Sequence, residues 1–419
     1  MTSPYCHRFA VFTAAATLAL IGIGGLVTSH GVGLAVLDWP NTYGYNMFFF
    51  PVSRWVGGIF YEHTHRLAAS GVGLLSVALA LWLHGRSARP WMRRGGLALL
   101  AAGMAFALSL PGHWADGVVL GGTGLALFGA GWVWPRCEPA PKWVRWLGVA
   151  AFLAVVLQGV LGGLRVVLLK DQIGIFHAAL AQLFFVLVCA IALVTSRWWN
   201  EPSPQPAIPG VPPRGANPAL RWLFSLTTLL IFAQLLLGAT MRHQHAGLAI
   251  PDFPLAYGKI WPATDPASVA HYNQRRIEVE AANPTTAFQI KLQMAHRIGA
   301  GLILVAVAAC AWKAGQGPIM GTRGACPSGI WVSSVGGLSK VWLGLILGQV
   351  FLGAATIWSD KAADIATAHV VVGALSLALG TILSILCWRE AMPAWAQAAS
   401  PWAPEAWRKV PLGAQPHRV

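Results

Sequence analysis

Tyr61-Glu62-His63-Thr64-His65-Arg66 opens an apolar run that continues to about Leu83, and Gln293-Met294-Ala295-His296-Arg297 opens another in the same manner. An ionisable side chain is expensive inside a bilayer, so a Glu and a His at the lip of a membrane-length helix mark a place where function is expected. Glu62 and His65 are three apart, which on an α-helix sets them on nearly one face, about 4.5 Å apart along the axis. The His-Arg pair recurs in the second stretch, but Gln293 stands where Glu62 stood. A carboxylate titrates and an amide does not, so the first stretch is the one expected to do chemistry.

Working outward, the chain reads as a polytopic membrane protein. Of its 419 residues 56% are hydrophobic and 10% charged, whereas a soluble domain carries about 25% charged residues. Apolar runs of spanning length fall at about 9–29, 65–84, 96–111, 117–134, 144–163, 174–195, 220–240, 292–312, 335–357 and 365–387, about ten spans. The first continues unbroken to Val27, longer than the roughly 7–15 apolar residues of a cleaved signal, and reads as a retained span. With the N-terminus inside, the inner segments hold 18 of the 29 Lys and Arg but four of the 14 acidic residues. This is the positive-inside pattern. The net charge of +15 is therefore a topology signal; no nucleic-acid partner is expected, and the lipid bilayer is the surface this chain meets. The expected location is the cell (inner) membrane, multi-pass, with both termini cytoplasmic. The six cysteines show no CxxC or C-x-x-C-H spacing, so neither a structural disulfide nor covalent haem attachment is expected.

The chain repeats itself. Gly33-Leu34-Ala35-Val36-Leu37-Asp38-Trp39-Pro40-Asn41-Thr42-Tyr43-Gly44 matches Gly247 to Gly258 at an offset of 214 residues, and Gln158 to Gly163 matches Gln349 to Ala354 at an offset of 191. His177 and His369 follow at an offset of 192. Each half has a long outer loop after its first helix and a His in its second and fourth helices, a parallel duplication about an axis along the membrane normal. The expected fold is an all-α polytopic membrane protein with two pseudo-symmetric four-helix transmembrane bundles and an inserted helical hairpin. The units are 1–199 (with the hairpin at 96–134), a Pro-rich inner-side linker at 200–218, 219–390, and an inner-side tail at 391–419.

Most of the 13 His need no special role, and His7, His84, His113, His271 and His417 fall in loops or tails. His30, His243 and His245 sit just outside the first helix of each half, where a part in the site and simple loop hydrogen bonding are both open. His65, His177, His296 and His369 each begin an outside-to-inside helix at matching depth. Bundle cores build cofactor sites from facing helices, and two facing imidazoles per bundle suit an iron porphyrin with bis-His ligation. Zinc would favour further Cys, His or carboxylate ligands nearby, which the second half lacks. Gly24-Gly25, Gly71, Gly73, Gly162-Gly163 and Gly299-Ala300-Gly301 suit either close helix packing or room for a flat ring. Arg66, Arg165 and Arg297, near the outer mouth, could pair with haem propionates or snorkel to the interface.

Taken in order, Gly24-Gly25-Leu26-Val27-Thr28-Ser29, the Gly33–Pro40 run, Glu62-x-x-His65-Arg66 and Gln158-Gly-Val-Leu-Gly-Gly-Leu-Arg165 resemble the haem A synthase family of cytochrome oxidase biogenesis. The resemblance covers 9–195 and 220–387 apart from the hairpin. It implies oxidation of the C8 methyl of haem O to a formyl group by successive hydroxylations. It implies substrate haem in the N-terminal bundle, on His65 and His177, and haem b (iron) as electron carrier in the C-terminal bundle, on His296 and His369. Glu62 then matches the family's essential acid. The implied partners are a haem O synthase and cytochrome oxidase assembly factors, and homo-oligomerisation is left open. Leu37 departs from a Pro that the second repeat keeps at Pro251, the hairpin is extra, and no cysteine pair stands in the outer loop of the first half. Two rivals predict different behaviour: a di-haem transmembrane electron carrier of cytochrome b type, with two permanent haems, and a haem-delivery chaperone indifferent to Glu62.

Overall fold

In lipid every backbone N–H and C=O must be satisfied within its own segment, which makes long helices of these apolar runs. The computed structural model describes residues 4–110, 112–200, 218–275, 284–316 and 335–390. The linker beyond residue 200, the tail 391–419, Cys326 and the Arg276–Glu280 charge run lie outside the described residues. The helices are α1 (Pro4–Ser29), α2 (Gly57–His84), α3 (Ala88–Ser109), α4 (Trp114–Val133), α5 (Lys142–Leu168), α6 (Asp171–Thr195), the short α7 (Arg197–Asn200), α8 (Pro218–His243), the loop helix α9 (Pro266–Gln274), α10 (Ala287–Gln316), α11 (Val335–Trp358) and α12 (Ala363–Glu390). Among the described residues nine stretches are long and apolar enough to cross a membrane, the 53-residue Gly57–Ser109 holding both α2 and α3. The ten expected runs thus appear as ten long helices, with Gly85 (φ 55°) parting α2 from α3. Only glycine suits that turn, since a Cβ there would meet the Cys137 carbonyl at 2.5 Å.

Two rings of helices result. α1 packs on α2, α2 on α5, α5 on α6 and α6 on α1; likewise α8 on α10, α10 on α11, α11 on α12 and α12 on α8. The rings touch where α12 meets α1 and α6 and where α6 meets α8. Each ring is plugged with apolar side chains at the end away from the four histidines. Leu79, Leu83, Val144, Phe184, Val188 and Ile191 fill the first. Phe224, Val307, Trp342, Ile346, Leu383 and Cys387 fill the second, with Trp342 Nε1 donating to Ser376 O at 2.8 Å. Burial against lipid-like neighbours gains little, so close packing and satisfied polar groups hold these plugs.

The α3–α4 hairpin packs mainly on itself. Its glycines let the two backbones touch: a Cβ at Gly96 would lie 2.5 Å from Phe128 N, and one at Gly117 would lie 2.7 Å from Gly103 O. It reaches the first ring near Gly85 and through the long loop, where Asn46 Nδ2 donates to Asp116 Oδ1 at 2.7 Å and Phe49 stacks on Trp114.

The two repeat loops fold alike, which explains their shared residues. Asp38 accepts from the backbone of Tyr43 and Gly44 (both 2.8 Å), and Asp252 from Tyr257 (2.7 Å) and Gly258 (2.8 Å). The Tyr-Gly pair takes positive φ in both (49° and 77°; 53° and 73°). The Tyr43 and Tyr257 hydroxyls then return to the carbonyls of Ala35 and Ala249.

Candidate functional site

The four singled-out histidines occupy equivalent places, each facing a glycine of the preceding helix of its ring. A Cβ added at Gly24 on α1 would lie 3.1 Å from His65 Cε1 on α2, and one at Gly162 on α5 would lie 3.4 Å from His177 Cε1 on α6. In the second ring a Cβ added at Gly238 on α8 would lie 3.2 Å from His296 Cε1 on α10, and one at Gly353 on α11 would lie 3.2 Å from His369 Cε1 on α12. The Cε1–Nδ1 edge faces the glycine in every case, so Nε2 is the nitrogen directed farther from it. Nδ1 of all four is buried with no hydrogen-bond partner among the described residues. A buried polar atom left unpaired costs roughly 1–3 kcal/mol, and the same cost recurs at four equivalent positions.

The partners converge within each ring. The His296 and His369 ring centres are 6.5 Å apart at an interplanar angle of 64°. His65 and His177 lie within electrostatic reach of one another. Three of the four helices are braced at the histidine itself. Gln158 Nε2 donates to His177 O (2.9 Å), Gln234 Nε2 to His296 O (2.7 Å) and Gln349 Nε2 to His369 O (2.8 Å). Among the described residues no group of three or more His, Cys, Asp or Glu comes together in a way that could hold a metal ion.

Glu62 is buried at 5% exposure, and its hydrogen bonds run to the loop. Oε2 accepts from Val36 N at 2.9 Å and Oε1 from Arg66 at 2.8 Å. Gln293 does the equivalent work in the second ring, its Oε1 accepting from Ile250 N at 2.6 Å and its Nε2 donating to Gly247 O at 3.1 Å. Tethering the loop needs an acceptor; only the first ring adds a charge.

The expected roles of Arg66 and Arg297 change. Arg66 donates to the carbonyls of Val36, Asp38 and Asn41 at 2.7–2.9 Å, and Arg297 to those of Asp252 (2.7 Å) and Leu255 (2.8 Å). A guanidinium's fork suits these loop carbonyls as well as a carboxylate, so both are spent on holding the loops. Arg165 lies against Gly33 and within reach of His65 and His177.

His30 Nδ1 donates to Leu26 O (2.9 Å) and the ring stacks on Tyr61, a helix-end role. His243 packs onto Gly174 of α6, close to Arg165 and Asp171, and so lies at the edge of the first site. His245 is exposed at φ 52°. His63, given no role by the sequence, is fully buried between Phe50 and Trp55, its Nδ1 3.2 Å from Thr42 Oγ1. Met294 takes its place in the second ring, so His63 and Glu62 both set the halves apart, a difference readable from the aligned repeats.

Such a chain is an all-helical, multi-spanning membrane protein with an imidazole pair near one end of each helical ring. Residues 114–381 match the family model described as cytochrome oxidase assembly protein, and the chain belongs to that family. His177, His296 and His369 lie inside the matched region; Glu62 and His65 precede it. The chain is also 23% identical over 257 residues to the heme A synthase of Shouchella clausii (strain KSM-K16), covering 61% of this chain and 65% of that protein.

Proposed function

We propose that this protein is a haem A synthase, oxidising the C8 methyl of haem O to a formyl group in the N-terminal ring, with haem b held in the C-terminal ring. The observation that carries the reading is the pair of equivalent imidazole sites, each with unpartnered buried nitrogens and a glycine beside each ring, of which only the first carries an acid. The donor set fits a porphyrin iron. Two imidazole nitrogens each about 2 Å from a metal ion between them put their ring centres roughly 6 Å apart, and His296 and His369 stand at 6.5 Å. Bound there, haem b supplies one-electron transfer.

This chain's residues do the rest. His65 and His177 grip and orient the substrate porphyrin, and Gly24 and Gly162 leave room for the rings that grip it. The apolar plug of Leu79, Phe184 and Val188 closes the ring beneath, which keeps water from the site. Glu62 holds a negative charge, or accepts a proton, as electrons leave the substrate methyl, worth about 10²–10⁴ in rate. Gln293 can tether its loop but can do neither.

The near-identity of the two imidazole sites also favours the di-haem carrier, and one experiment separates them. The chain is expressed in a host making haem O but not haem A, and the extracted haems are chromatographed. A synthase accumulates haem A or its hydroxylated intermediate. Haem b alone would overturn the proposal in favour of the carrier.

A further inference from the structure

With Arg66 and Arg297 committed to their loops, three other cations are linked in a chain, Arg165 within electrostatic reach of Arg242 and Arg242 of Lys361. Arg165, in the last turn of α5, lies where a Cβ on Gly33 would be 2.7 Å from its guanidinium, and it is within electrostatic reach of His65, His177 and Arg242. Arg242, in the last turn of α8, belongs to the second ring but crosses to the first. It donates to Gly25 O at 2.8 Å and to the Ser29 hydroxyl, and its Nε is buried without a partner among the described residues. It also lies within reach of His369 and Lys361. Lys361 stands on the α11–α12 turn at φ 64°. His243 adjoins the group, with Asp171 facing it.

The ion pairs among the described residues join Arg66 to Glu62, Arg86 to Glu138 and His113 to Asp116; none involves these three cations. Half-buried like charges repel and lose hydration, and such an arrangement persists when an anion completes it. Burial, and then the Arg242 charge, holds the Lys361 pKa below its ordinary value, as expected of an ammonium without its counter-ion.

We propose that Arg165, Arg242 and Lys361 form one carboxylate-binding seam shared by the two sites, taking the propionate groups of the porphyrin in each ring. This rests on the haem reading above. Arg165 lies beside the His65–His177 pair, Arg242 lies within reach of both Arg165 and His369, and guanidinium groups match carboxylates in charge and shape. An anionic lipid headgroup offers similar chemistry and is the competing source.

The test uses full-length protein, expressed under haem limitation, in nanodiscs of phosphatidylcholine or of phosphatidylglycerol. Iron protoporphyrin IX and its dimethyl ester are titrated in, and the Soret band is read. Wild type should bind the free acid about tenfold or more tightly than the ester, a loss in keeping with charge-assisted hydrogen bonds. Lys361→Gln, which removes no structural hydrogen bond, and Arg242→Gln should each bring the ratio below about threefold while keeping a bis-imidazole spectrum. Arg242→Lys, which keeps the charge, should retain most of the preference and so reports on folding. Equal binding of acid and ester by wild type, with a bis-imidazole spectrum, overturns the seam alone. So does selective retention of phosphatidylglycerol by wild type, and not Lys361→Gln, without any acid preference. No bis-imidazole band with either porphyrin overturns the haem reading as well.

Discussion

Glu62→Gln and Glu62→Ala separate the two jobs that this side chain can do. The carboxylate accepts from Val36 N at 2.9 Å and pairs with Arg66 at 2.8 Å, the two side chains being 6% and 10% exposed. Alanine leaves the Val36 N–H unpaired, costing about 1–3 kcal/mol, and strips Arg66 of its counter-charge, a loss of about 3–5 kcal/mol for a buried pair. The Arg66 guanidinium keeps three carbonyl acceptors, so the lower end of each range applies and the sum is near 4 kcal/mol. Glutamine preserves the acceptor, as Gln293 does for Ile250 N at 2.6 Å, and should cost about 1–2 kcal/mol less than alanine. Thermal unfolding in detergent should therefore rank wild type above Glu62→Gln above Glu62→Ala. Turnover should not follow that ranking. Extracted haems from the haem O host should show both variants slowed about 100-fold or more, because neither side chain carries the charge. If Glu62→Gln made haem A at the wild-type rate, the acid would be a loop tether and nothing more, and the chemical asymmetry between the rings would have to lie elsewhere, with His63 next in line.

Three further outcomes follow from the geometry. Gly353→Ala puts a Cβ 3.2 Å from His369 Cε1 and should lower haem per protein in a pyridine haemochrome assay, whereas Gly301→Ala, with open space around it, should keep full haem and gain up to about 1 kcal/mol of helix propensity. Excising the α3–α4 hairpin should leave both imidazole pairs able to bind haem by Soret absorbance. Arg86 N already bonds Cys137 O at 2.9 Å and Ala140 N bonds Leu83 O at 2.9 Å, so a short join suffices and the loss is the Asn46–Asp116 bond and the Phe49–Trp114 stack. The preference for free acid over dimethyl ester should fall as pH rises through the Lys361 pKa, since a lysine held below 10.5 loses its charge earlier than usual. Lys361→Arg, charged throughout, should remove that component of the pH dependence.

The helices and the histidines were legible because each depends on local pattern. An apolar run of membrane length has one stable outcome in lipid, and the histidines stand out by recurring in matched helices, His65 with His296 in a shared His-Arg pair and His177 with His369 at an offset of 192. The Asp38 and Asp252 turns were visible as a repeated string, although their purpose was not. Non-local contacts were hidden. Arg66 reaches loop carbonyls up to 30 residues away and Arg242 reaches Gly25 across 217, and no spacing rule encodes such partners. The glycine facing each histidine could have been found: Gly24 and Gly238 share the 214 offset of the loops, and Gly162 and Gly353 share the 191 offset of the glutamines.

Duplication explains why one scaffold can hold two different jobs. The loop tether at Glu62 and at Gln293 is the same hydrogen bond to the same N–H, 2.9 Å in one ring and 2.6 Å in the other. Exchanging oxygen for nitrogen at the other terminus of that side chain leaves the tether alone but changes the charge and that terminus's partner, Arg66 donating to Glu62 and Gln293 donating to Gly247 O. Gln293→Glu is then the reciprocal probe. It keeps its acceptor for Ile250 N but gives up the bond to Gly247 O, and Arg297, held by Asp252 O and Leu255 O, is not bonded to it. The new carboxylate would be buried without the partner that Arg66 gives Glu62, and unpaired burial disfavours the charged form. The exchange should therefore destabilise the second ring without making it catalytic, read as a lower unfolding temperature with haem A yield unchanged. A second ring that began to oxidise haem O on this one substitution would refute the view that an acid at this position needs the Arg66 pairing to work.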